Sequence, residues 1–88
     1  MESLTIKIKY LVNFHEITGK KLDEISFPPG SDLYTVAAWL EGEYGIKVPA
    51  PRVLNLLNGH GWNQYPEEMK TTLNDGDTII IMPSISGG

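Results

Sequence analysis

Leu73-Asn74-Asp75-Gly76-Asp77-Thr78-Ile79-Ile80-Ile81-Met82-Pro83 is the stretch that decides the fold of this 88-residue chain. Its first five residues are mostly turn formers, and the run that follows puts Ile79 and Ile81 on one face of a strand and Ile80 and Met82 on the other. A strand that is apolar on both faces belongs in the middle of a sheet, where neighbours cover it. Pro83 closes the run, and Ser84-Ile85-Ser86-Gly87-Gly88 follows without any apolar periodicity to anchor it. The expected division is therefore a domain over residues 1–83 and a flexible tail over residues 84–88.

Working back from this strand, Leu4, Ile6, Ile8, Tyr10 and Val12 alternate with Thr5, Lys7, Lys9 and Leu11, the period of a strand with one buried face. Phe14 to Gly19 interrupts the alternation as a loop, and Lys20 to Phe27 returns as a second strand with Ile25 and Phe27 on one side. Pro28-Pro29-Gly30 stops it, and Ser31 or Asp32 can cap the helix that follows. Leu33, Val36, Ala37, Leu40 and Tyr44 form one helical stripe, with Gly45 placed for a left-handed C-cap. After Pro49 and Pro51, Val53 to Asn58 reads as a third strand ended by an Asn58-Gly59 turn. His60 to Thr72 is largely polar, with room for a short strand or helical turn near Trp62 to Met69.

Strand, strand, helix, strand, a weak element and a central last strand is the α+β order of the β-grasp fold. It predicts a mixed four- to five-stranded sheet with one main helix on one face and the last strand parallel to the first. The face without a helix should then carry an apolar patch suited to a partner, expected among Lys7, Lys9, Leu11, Ile80 and Met82.

Composition narrows the function. The length fits one domain, too small for an enclosed active site with its own lid. Eleven Asp and Glu against seven Lys and Arg give a net charge of −4 and argue against nucleic-acid binding. The absence of cysteine removes disulfides, zinc–thiolate sites and thiol nucleophiles. No run approaches a membrane span and the first residues lack a basic leader, so the expectation is a cytoplasmic protein without membrane attachment. His15 and His60 read as loop residues without metal-ligand spacing, and Gly59-His60-Gly61 and Asp75-Gly76-Asp77 as turns. Trp62 and Tyr65 read as aromatics that fold back on the domain.

A terminal Gly lacks Cβ, so its carboxylate can pass down a narrow channel into another enzyme. The reactive group is accordingly expected at Gly88, with Gly87 before it and Ser84, Ile85 and Ser86 as the segment a partner holds.

Phe14 to Gly19, Leu33 to Tyr44, Asn58-Gly59, Leu73 to Pro83 and the final Ser86-Gly87-Gly88 together resemble the ubiquitin-like sulfur carriers, most closely the small subunit of molybdopterin synthase. His15 and Ser84 stand where that subunit usually carries Arg and Pro. The resemblance implies that an adenylating enzyme uses ATP to activate Gly88, that a persulfide protein supplies sulfur, and that the resulting thiocarboxylate serves a larger synthase subunit. No cofactor would be bound by the carrier itself. Thiamine synthesis, cysteine synthesis and tRNA thiolation use related carriers, and a ubiquitin-like modifier needs the same adenylated terminus. A β-grasp interaction module whose Gly-Gly is incidental is the non-reactive alternative.

Overall fold

The structure, a computed structural model, describes residues 3–84. Its elements are β1 (Leu4–Tyr10), α1 (Asn13–Thr18), β2 (Leu22–Phe27), α2 (Leu33–Tyr44), β3 (Val53–Leu57), β4 (His60–Gly61) and β5 (Thr78–Pro83). Two 3₁₀ turns, Trp62–Gln64 and Glu68–Lys70, lie between β4 and β5. The strands form one sheet in the order β2-β1-β5-β3-β4. β5 runs parallel to β1 and antiparallel to β3, so the doubly apolar strand is central, and the architecture is β-grasp.

Local chemistry sets the ends of these elements. Asp32 caps α2: its carboxylate accepts from the Thr35 backbone N–H at 3.1 Å, while the Thr35 hydroxyl accepts from the Asp32 N–H at 3.4 Å. Gly45, at φ 71°, ends the helix in the left-handed region. Asn58 and Gly59, at φ 52° and 89°, make the tight turn that joins β3 to β4.

The segment Phe14 to Gly19 differs from its reading as a loop. It is a six-residue helix, with Phe14 buried and the Thr18 hydroxyl donating to the Phe14 carbonyl at 3.0 Å. Val12 enters it at φ 58°, a conformation rare for a β-branched residue, which turns the chain sharply out of β1. His15 therefore sits in α1 and His60 in β4, where both were expected in loops.

One cluster holds the layers together: Ile6, Ile8 and Tyr10 from β1, Ile79 and Ile81 from β5, and Leu33, Val36 and Leu40 from α2. Ile6, Ile8, Ile79 and Ile81 have no exposed surface, each contributing about 1.5–3 kcal/mol relative to an exposed side chain. Trp62 joins this core, as an aromatic folded back on the domain should.

Candidate functional site

The register of β5 is fixed before its first residue. Asp77 accepts from the Asn74 N–H at 2.8 Å with one carboxylate oxygen and from the Asn58 side-chain amide at 3.0 Å with the other. Asn58 in turn accepts from the Thr78 N–H, and Asp75 accepts from the Thr5 N–H at 2.8 Å. The turn is thus tied to β1 on one side and β3 on the other. At the far end the Leu11 N–H donates to Ile81, and the Ser84 N–H donates to the Arg52 carbonyl at 2.9 Å. The ladder therefore continues one residue past Pro83 to the root of the tail.

The pleat follows from this register. Ile79 and Ile81 point into the core, so Ile80 and Met82 point to the face without α2, where both are half-buried. Lys9 and Leu56 pair with Ile80 on either side, and Leu22 pairs with Lys9. Leu54 pairs with Met82, and Leu11 lies beside it. The result is two cross-strand rows, Leu22-Lys9-Ile80-Leu56 and Leu11-Met82-Leu54. Leu11, Leu22 and Leu54 are 39%, 42% and 38% exposed, which is unusual for large apolar side chains and makes the face a contiguous patch.

Leu11, Ile80 and Met82 are thus brought together, with Ser84 at the end of the same strand. Ile85, Ser86, Gly87 and Gly88 lie outside the described residues. Leu22, Leu54 and Leu56 complete the patch without having been expected there. Only the strand pairing reveals them, since Leu54 and Leu56 lie within an apolar run that does not show which side faces out.

The ThiS family pattern matches residues 8–88. This chain belongs to the ThiS family. Solved structures agree. A Haloferax volcanii protein, HVO 2177, is 26% identical with a TM-score of 0.79, covering 98% of this chain and 88% of its own. The small archaeal modifier protein 1 of Methanosarcina acetivorans is 24% identical with a TM-score of 0.77, and all of both chains is covered. A chain from the complex of subunits 1 and 2 of the molybdopterin-converting factor of Helicobacter pylori is 22% identical with a TM-score of 0.66, covering 97% of this chain and all of its own. No curated protein sequence matches. The resemblance to ubiquitin-like sulfur carriers stands, and the ThiS chain has their fold.

Opposite the patch, the ThiS chain holds a polar network that its sequence did not suggest. Asp23, on β2, accepts from the Tyr10 hydroxyl at 2.8 Å and the Tyr44 hydroxyl at 2.6 Å, both on one oxygen, while Lys20 donates to the other at 3.0 Å. Burial pushes the Asp23 carboxyl up, but the hydrogen bonds from Tyr44, Lys20 and Tyr10 outweigh it and hold the group below the usual carboxylate range. Burial and the bond to Asp23 push both Tyr10 and Tyr44 above the usual phenol range. The bond to Asp23 likewise raises Lys20. All three partners therefore favour an ionised Asp23 and protonated donors, which ties the β1–β2 hairpin to the end of α2.

Elsewhere, Pro49, Ala50, Asn55, Trp62 and Asn63 line a cleft of about 210 Å³ beside β3. The Tyr65 hydroxyl donates to the Leu57 carbonyl, which folds that aromatic back on the domain. Among the described residues no group of three or more His, Asp or Glu is placed to hold a metal ion, and no helix is long and apolar enough to cross a membrane.

Proposed function

We propose that this ThiS chain is a sulfur carrier for molybdopterin synthesis, acting as the small subunit of molybdopterin synthase. The family match running through Gly88, behind a strand that ends beside an apolar helix-free face, carries the reading.

The chemistry needs an activated carboxylate, because direct attack on Gly88 would have to expel oxide. An adenylating enzyme joins the Gly88 carboxylate to the α-phosphate of ATP and releases pyrophosphate. The sulfur of a protein persulfide displaces AMP, forming an acyl disulfide. A thiol reductant then cleaves its S–S bond, leaving a thiocarboxylate on Gly88 and a disulfide on the donor side. The carrier is a co-substrate and binds no cofactor; ATP belongs to the activating enzyme.

Leu11, Ile80 and Met82 form the docking face, with Ser84, Ile85 and Ser86 as the segment led into the partner's channel. Ordering an extended tail costs on the order of 1–2 kcal/mol per residue, so contact by the body has to offset it. Association of the two subunits in the Helicobacter complex supports a larger synthase subunit as one partner.

The likeness to the archaeal modifier favours a second reading, in which the adenylated Gly88 forms isopeptide bonds to lysines. Carriage of sulfur to thiamine, cysteine or thiolated tRNA uses the same intermediate. Intact mass of the protein isolated from its own cells tests these readings: replacement of one oxygen by sulfur supports the carrier, and lysine conjugates support the modifier. Reconstitution with the larger synthase subunit and the molybdopterin precursor then tests the pathway.

A further inference from the structure

Lys9 is the one charged side chain set between apolar neighbours on the open face. Its cross-strand partners are Leu22 on β2 and Ile80 on β5, with Leu56 beyond Ile80 in the same row. Lys7, two residues back on the same face, stands directly opposite Glu24. Glu24 is the sole acid at the outward positions of β1, β2, β3 and β5, and it lies diagonal to Lys9. Among the described residues the one side-chain ion pair is Lys20 with Asp23, on the opposite side of the sheet. A partner that covers this row removes the Lys9 ammonium from water. An unpaired charge so buried is costly, and a carboxylate opposite it offsets much of that cost.

We propose that Lys9 selects the partner of this face: the complementary surface, on the adenylating enzyme, is apolar with a single Asp or Glu carboxylate set to receive the Lys9 ammonium. This rests on the carrier reading above. It goes beyond that reading by assigning a charge to a surface that is otherwise greasy, and it makes association sensitive to salt. The alternative is that the lysine stem lies along Leu22 and the ammonium reaches water at the edge of the contact.

Binding of the purified adenylating enzyme, measured by calorimetry with wild type, Lys9→Met, Lys9→Arg and Lys9→Glu, separates the two. With a facing carboxylate, Lys9→Met weakens binding roughly tenfold or more, because the partner's charge is left unpaired, and Lys9→Glu weakens it further. Lys9→Arg should retain most of the affinity, and the salt dependence should fall in Lys9→Met. All three variants should melt like wild type, since Lys9 is exposed. Unchanged or tighter binding by Lys9→Met overturns the proposal while leaving the carrier reading intact, provided that wild type is adenylated. If wild type is neither bound nor adenylated, both fall.

Discussion

The Tyr10 hydroxyl reaches the Asp23 carboxylate across the β1–β2 pair at 2.8 Å, and it is the buried end of the network that joins the hairpin to α2. Replacing Asp23 by Ala leaves the fully buried Tyr10 hydroxyl and the half-buried Tyr44 hydroxyl without their acceptor. Leaving such groups unmatched costs about 1–3 kcal/mol each, so Asp23→Ala should destabilise the domain by roughly 2–4 kcal/mol in urea unfolding. Asp23→Asn keeps an acceptor oxygen and should cost less. Equal stability of Asp23→Ala and wild type would show that the network is dispensable.

The same groups set the pH dependence. The folded-state pKa of Asp23 is depressed, so its contribution is complete above its unfolded value near 3.9 and is lost as pH falls through the folded value. Tyr10 and Tyr44 are raised, so their contribution is complete below about pH 10 and declines as pH rises beyond it, where the unfolded chain ionises first. Wild type should therefore lose stability at both extremes. Asp23→Asn should lose less as pH falls below about 4, relative to its own stability at pH 7. Parallel acid profiles for the two proteins would contradict the assignment.

Much of this fold was legible because local signals agreed with one another. The alternation of Leu4 to Tyr10, the stripe from Leu33 to Tyr44 between Asp32 and Gly45, and the doubly apolar Thr78 to Met82 each name an element and its place. α1 was not legible: six residues are too few to show a helical period, and its sharp entry depends on a positive φ at Val12 that no sequence rule favours. The Asp23 network is built on hydrogen bonds that span up to 21 positions, and Leu22 and Leu54 enter the patch only through strand register. Such long-range placement is set by the packed sheet and not by any local pattern.

An Asp at Met82, which unlike Ile80 has no lysine directly opposite it, should separate docking from folding. Both side chains are half-buried on the open face, whereas Ile81 between them is fully buried. Met82→Asp places an unpaired charge in an apolar contact and should weaken the complexes with the adenylating enzyme and the larger synthase subunit alike. Thermal melting should show a modest loss. Ile81→Ala, in contrast, should cost about 2–5 kcal/mol by opening the core. If Met82→Asp binds both partners normally, docking does not use this face.

Deletion of Gly88, or addition of one residue after it, should abolish ATP–pyrophosphate exchange by the adenylating enzyme, because the reacting carboxylate is moved out of reach of the α-phosphate. Folding should be unaffected: among the described residues the buried core ends at Ile81 and the sheet ladder at the Ser84–Arg52 hydrogen bond. Equal melting temperatures for the truncated, extended and wild-type chains, together with lost exchange in the first two, would place the defect in the chemistry. Binding gives a further check, since the open face is intact in all three. The truncated chain should still compete with wild type for the adenylating enzyme and so act as an inhibitor of its activation. Full exchange by the truncated chain would remove Gly88 from the reaction.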